Sequence, residues 1–304
     1  MNHFISLKYL SSREMQDLID LAMRIKTSPA DSRTSLMAKS VGLIFEKSSL
    51  RTKTAFYLGA LQLGANAIYY SPEEVKLGKR ETIPDVARTL SRYLDVVVLR
   101  TYSHDTILEF AHASSIPVLN GLSDLLHPSQ ALADIMTIME LKGDLKKLKV
   151  VYVGDGNNVC NSLIYAFAIL GGKLTLAIPA MYQPSIEILN EAKDYSKLSA
   201  TEINIASSIE EAAKDADVLY TDVWVSMGNE EELQERKKAF KNYQINGKIL
   251  ELAKDDAIVM HCLPAHRGEE ITDAVIESKN SAVFTQAENR LHTAKAILSY
   301  ILKK

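Results

Sequence analysis

The chain has 304 residues, enough for two domains of ordinary size or one large barrel. Its 47% hydrophobic and 24% charged residues are those of a folded globular protein, which excludes global disorder. A net charge of −3 argues against a broad nucleic-acid surface, although small-anion sites in local clefts stay open.

Cys160 and Cys262 fit neither a disulfide framework nor a CxxC metal pattern, so reduced thiols in a cytoplasmic protein are expected. Residues 1–8 lack a basic start followed by a long apolar run, and no apolar stretch reaches membrane-spanning length. Neither a signal peptide nor a membrane partner is therefore expected.

In chain order, strand-like runs occur at Val41–Phe45, Ala67–Tyr70, Val96–Leu99 and Pro117–Leu119. After a long helical stretch, about Ser129 to Leu141, a second series follows: Val150–Val153, Leu174–Ile178, Ile203–Ala206, Val218–Thr221 and Ala257–Met260. Short, β-branched, nearly all-apolar strands alternating with helical segments such as Ser208–Lys214 and Asp273–Glu277 predict parallel sheets built from βαβ units. A last strand-like run, Ala282–Thr285, precedes a helical run over about 287–302 that returns to the first domain. The fold class is α/β: two domains, each a parallel sheet flanked by helices, with the site in the cleft between them. The expected domains are 1–133 with 287–304, and 134–286. The acidic 229–232 followed by Arg236-Lys237-Lys238 predicts a solvated helix.

Polar clusters sit where these strands end. Ser49-Leu50-Arg51-Thr52 lies between a strand and the expected helix Lys53–Leu63. A helix start offers backbone N–H groups and positive potential, and an arginine adds a planar fork for oxyanions. An ordinary N-cap followed by a surface arginine reads equally well. Arg100 alone could be an ion-pair partner, and His127 a structural histidine. With Gln130, their shared placement instead supplies a cation, an imidazole and an amide around one small anion.

Gly154-Asp155-Gly156-Asn157-Asn158 begins like a dinucleotide loop, but Val159 takes the third glycine position of GxGxxG. A Rossmann-like turn without nucleotide is preferred, in which Asn158 serves a polar substrate or stabilises the turn. In the run Asp222–Gly228, Asp222 suits a substrate ammonium and Ser226 a carboxylate; a capped loop with a packing tryptophan would look similar. His261-Cys262-Leu263-Pro264 reads as a thiol-nucleophile or metal site, with metal disfavoured because no nearby Cys or His completes a ligand set.

Taken together and in order, these motifs resemble the aspartate/ornithine carbamoyltransferase family over nearly the whole chain. The resemblance runs from Phe45-Glu46-Lys47 through Glu81-Thr82-Ile83, His127–Ala133, Gly154–Asn158, Asp222–Gly228 and His261–Glu270 to Glu288–His292. Cys262, where the aspartate-using branch has proline, and Ser226-Met227-Gly228 point to the ornithine-using branch. The resemblance implies that Ser49, Leu50, Arg51, Thr52, Arg100, His127 and Gln130 bind carbamoyl phosphate, with Cys262, Leu263 and Arg290 closing its site. It implies that Asn158, Asp222, Ser226 and Met227 bind ornithine.

The catalytic set would be Cys262, Arg100, His127, Arg51 and Thr52, with no metal or organic cofactor. The implied reaction gives citrulline and phosphate, as a step of arginine biosynthesis. Alternatives are an acceptor such as N-acetylornithine or putrescine, a degradative role, or a non-catalytic anion or amino-acid binding protein. Leu50 stands where many relatives carry threonine, Lys53 where arginine is common, and Lys76 where a glutamine often reaches a neighbouring subunit's donor site, so the resemblance implies that Lys76 also binds carbamoyl phosphate, as a point charge. The family usually forms trimers, so a homotrimer or an assembly of trimers is expected.

Overall fold

The computed structural model describes residues 3–199, 201–225 and 230–303. It divides into two compact units, Met1–Met136 with Glu288–Lys304, and Thr137–Ala287. Two helices carry the chain across the division, Pro128–Lys142 and Val283–Lys303.

The first unit holds a parallel sheet of β1 (Ser40–Phe45), β2 (Asn66–Tyr70), β3 (Val96–Arg100) and β4 (Val118–Leu122) in the order β2-β1-β3-β4. Every residue of β3 and β4 is buried, as is β1 beyond its first residue, which explains their continuous apolar runs. β2 is the partly exposed edge. Strand order reverses between β1 and β3, which pair with Phe45 opposite Arg100. Ligands in open α/β sheets bind outside the carboxyl ends of the strands at such a reversal. That end leads directly to Ser49–Thr52 on one side and is formed by Arg100 on the other.

The second unit repeats the logic with five parallel strands: β5 (Lys149–Val153), β6 (Gly172–Ala177), β7 (Thr201–Ile205), β8 (Val218–Thr221) and β9 (Ile258–His261), ordered β7-β6-β5-β8-β9. Its reversal lies between β5 and β8, where Val153 pairs with Thr221. Gly154–Asn158 and Asp222 therefore leave the sheet side by side. Thr221 pairs in turn with His261, which sets Asp222 beside Cys262. A core of Val151, Val153, Leu219, Val259, Ile209 and Ile276 fixes the sheet on its helices.

Two expectations differ from the structure, and one helix lies beyond them. Ala282–Thr285 is no strand; the last helix already begins at Val283. The Ser12–Thr27 helix, opened by a capping box between Ser11 and Glu14, matches no expected element. Arg236 is not solvated: it is 8% exposed within the Leu233–Phe240 helix.

The glycine-rich turn also has a specific constraint. A Cβ on Gly156 would lie 2.4 Å from Pro184 N and 2.5 Å from Tyr182 O, while the Gly156 N–H donates to Tyr182 O at 2.8 Å. The chain's own backbone thus occupies the face that a dinucleotide pyrophosphate would approach. Gly156→Ala should destabilise the protein by about 1–3 kcal/mol, the usual range for overpacking. Denaturant unfolding checks this, and an unchanged midpoint would contradict the close approach.

Candidate active site

In the first unit, the Arg51–Gln62 helix starts at Leu50, an N-cap residue whose side chain cannot accept a hydrogen bond. Ser49 Oγ takes up the Lys53 N–H at 3.4 Å. Leu50 itself is 75% exposed. Lys53 lies over the Tyr69 ring, 3.3 Å from its centroid, which gives its charge a role apart from the arginines that follow.

Arg51 follows the cap, and Thr52 is buried behind it, where its hydroxyl accepts a hydrogen bond from Arg290 Nη2. That acceptance leaves the Thr52 O–H proton to donate elsewhere. Arg100 is 5% exposed, and among the described residues its Nε has no hydrogen-bond partner. Burial, then the charges of Arg290 and Arg51, draw its pKa down to about 10. Burial, Arg290 and Arg100 hold His127 well below the ordinary imidazole range, so it is neutral at pH 7. Its Nδ1 lies 3.5 Å from Ser129 Oγ. Gln130 donates from Nε2 to Asp134 Oδ1 at 2.8 Å, one turn along the same helix, which orients its carbonyl oxygen as an acceptor. Ser49, Leu50, Arg51, Thr52, Arg100, His127, Gln130 and Arg290 thus belong to one unit, and charge interactions tie its three arginines and His127 together.

Lys76 stands apart from that cluster. It is exposed, holds a left-handed backbone (φ 46°), and lines a cavity of about 330 Å³ with Glu46, Lys79 and Tyr102.

In the second unit, Asp222 is buried and accepts three hydrogen bonds. Asn157 Nδ2 reaches Oδ2 at 2.8 Å, and Cys262 Sγ and the Val223 N–H each reach Oδ1 at 2.8 Å. A carboxylate has about four lone-pair sites, so these donors from the described residues leave one of them open. Asn157 is a residue the sequence reading passed over in favour of Asn158. As N-cap of the Asn158–Leu170 helix it accepts the Val159 and Cys160 N–H groups while holding Asp222. An asparagine before a long apolar helical run is the sequence signal for that role. Asn158 is half-buried beside it. Ser226 and Met227 lie outside the described residues.

The Cys262–Leu263 segment is held by His261. Its Nδ1 accepts the Leu263 N–H at 2.8 Å, so the ring proton sits on Nε2 and is donated to Glu270 Oε1 at 2.9 Å. Gln286 Oε1 accepts the His261 N–H at 2.8 Å. Asp222, His261 and Cys262 place possible ligand atoms within 4.8 Å of one another, a grouping that needs Asp222 and was not visible in the His-Cys pair alone. Both histidine nitrogens are already committed, which leaves the trio no free imidazole for a metal.

Arg236 completes this half. It donates to Asp155 Oδ2 at 2.8 Å, to Trp224 O at 3.2 Å and to Glu232 Oε2 at 2.8 Å, and it lies over the Tyr182 ring. One buried guanidinium therefore joins the Gly154–Asn158 turn to both flanks of the 222–232 segment.

The first unit thus gathers guanidiniums beside a neutral imidazole, and the second presents a buried carboxylate ringed by donors, charges suited to an enzyme of the group-transfer class. The family comparison agrees. Residues 2–140 match the carbamoyl-P binding domain of aspartate/ornithine carbamoyltransferase, and residues 146–301 match the Asp/Orn binding domain. An ornithine carbamoyltransferase from Methanoculleus marisnigri is 48% identical over 97% of this chain and 95% of its own length. A catabolic ornithine carbamoyltransferase from Thermoplasma acidophilum is 47% identical over 95% of each chain. The solved ornithine carbamoyltransferase of Pyrococcus furiosus superposes with a TM-score of 0.96 at 43% identity, covering 99% of this chain and 97% of that one. The chain belongs to the aspartate/ornithine carbamoyltransferase family, on its ornithine branch.

Burial, only partly offset by Arg236, raises the pKa of Asp155 to about 6, with Asp222 and Glu232 adding to the rise. As pH falls through that value Asp155 takes a proton and its charge pairing with Arg236 is lost. The KM for the acceptor should therefore rise on the acid side with a midpoint near pH 6. Asp155→Asn should flatten that limb. An identical limb in the variant would assign the titration elsewhere.

Proposed function

We propose that this chain transfers the carbamoyl group of carbamoyl phosphate to the δ-amine of L-ornithine, giving L-citrulline and phosphate in arginine biosynthesis. The observation that carries this reading is the positive cluster around Arg100. The two charges acting on that buried guanidinium are both positive, so an arriving dianion relieves a repulsion as well as forming bonds.

The donor phosphate is held by Ser49, the Leu50 backbone, Arg51 and Thr52. Arg100, neutral His127 and the Thr52 hydroxyl point their protons at the carbonyl oxygen. Gln130, fixed by Asp134, accepts from the carbamoyl amide. Asp222 takes the α-ammonium of ornithine on its remaining lone pair, with Asn158, Ser226 and Met227 on the same substrate. The neutral δ-amine attacks the carbonyl carbon, an oxyanion forms, and its negative charge falls on donors already oriented. Each such donor is worth about 2.7–4 kcal/mol of activation energy. Phosphate leaves with the carbamoyl C–O bond electrons and takes up the proton the amine releases. Cys262 orients Asp222 and contacts the amine, with no covalent step. Leu263 closes the donor end with Arg290.

The reaction itself carries no direction in metabolism, and the Thermoplasma relative is named catabolic. The biosynthetic assignment rests on the ordinary role of the ornithine branch. We also propose that the chain works in the cytoplasm as a homotrimer or an assembly of trimers, with Lys76 offering a point charge to a neighbouring copy's donor.

The test supplies carbamoyl phosphate with ornithine, N-acetylornithine, putrescine or aspartate and measures carbamoylated product and phosphate. Citrulline should form fastest; a faster reaction with another acceptor would overturn the assignment. Arg51→Ala should lower kcat/KM for the donor by at least about a hundredfold, matching the loss of one charged hydrogen-bonding group. Near-normal turnover would remove the anion-site reading.

A further inference from the structure

A second basic cavity lies in the first unit, away from the residues assigned to the donor. It has a volume of about 480 Å³ and is lined by Pro29, Arg33, Leu61, Gln62 and Lys295, with no acid among them. Lys295 is only 3% exposed. Its stem crosses the Arg51–Gln62 helix at Gly59, where a Cβ would come within 3.3 Å of Lys295 Cγ. Its Nζ donates to Gln62 Oε1 at 3.1 Å, a neutral acceptor.

Among the described residues no carboxylate pairs with Lys295 or Arg33. Glu288, on the same helix as Lys295, is committed to Lys26 at 3.7 Å and His292 at 3.3 Å. Burial lowers the pKa of Lys295, as expected for an ammonium taken out of water without a counter-charge. A buried charge is ordinarily paired, and leaving one with only an amide is costly.

We propose that this cavity is a second anion site that takes a small oxyanion, carboxylate or phosphate, between Lys295, Arg33 and the Gln62 amide. It is separate from the donor cluster. Thr52 and Gln62 are about 15 Å apart along their shared helix at 1.5 Å per residue, and Arg290 and Lys295 face roughly 140° apart on theirs. Because those same two helices carry Thr52 and Arg290, an anion at Lys295 binds to the scaffold of the donor site without touching the donor.

Inorganic phosphate would also enter the donor cluster, so the test is made in an Arg51→Ala background. Calorimetric titration of that protein with phosphate, and separately with succinate, should show one site per chain of about millimolar affinity. Adding Lys295→Met, which keeps the stem and removes the charge, should weaken binding by about tenfold or more, and Arg33→Gln by a smaller factor. Tighter phosphate would mark the natural ligand as a phosphate, and tighter succinate as a carboxylate. Thermal unfolding of Lys295→Met confirms that the comparison is made on folded protein. Absence of binding by both anions, or binding unchanged by Lys295→Met and Arg33→Gln, would overturn the proposal.

Discussion

The first unit is organised around a repulsion. Arg51, Arg100 and Arg290 come from a helix start, a strand end and the last helix; the charges of Arg51 and Arg290 act on Arg100, and those of Arg290 and Arg100 on His127. Arg100 is buried with an Nε unpartnered among the described residues and a pKa brought down to about 10, which is a poor arrangement for stability alone. The fully buried β3 and its neighbours supply the apolar packing that holds such a cluster in place. Binding of the proposed dianionic donor would offset that cost. A site prearranged for negative charge need not reorganise when charge develops on the carbonyl oxygen.

The second unit solves the opposite problem. Asp222 is surrounded by donors of fixed direction, and each is itself fixed: Asn157 by the helix it caps, Cys262 by the backbone beyond β9, and that backbone by His261 and Glu270. Hydrogen bonds chained in this way rigidify a site. Arg236 extends the network to the 222–232 segment, so turn and segment share one charged anchor.

Much of this was legible in the residues. Continuous β-branched runs mark buried parallel strands, and the polar clusters at their ends mark ligand edges, so the nine strands and the placement of Arg51, Arg100 and Asp222 could be read directly. Other features were hidden for physical reasons. Ala282–Thr285 is too short for periodicity to separate a strand from the first turn of a buried helix. Arg236 lies in a charged run, but it shares a helix face with fully buried Phe240 four residues on, and that pairing betrays its burial. Asn157 and Asn158 are adjacent and alike; only the register of β5 with β8 decides which one reaches Asp222. The Lys295 cavity joins residues from three distant segments and left no local signal.

Under the proposed function, Arg100 is retained for the donor and not for the fold. The direct measurement compares the wild type with Arg100→Met in two readings, thermal stability without ligand and affinity for a non-hydrolysable phosphonate analogue of carbamoyl phosphate. Stability without ligand should equal or exceed that of the wild type, together with at least about a hundredfold loss of analogue affinity. A variant that unfolds more readily yet binds the analogue as before would show that Arg100 serves the fold and not the donor.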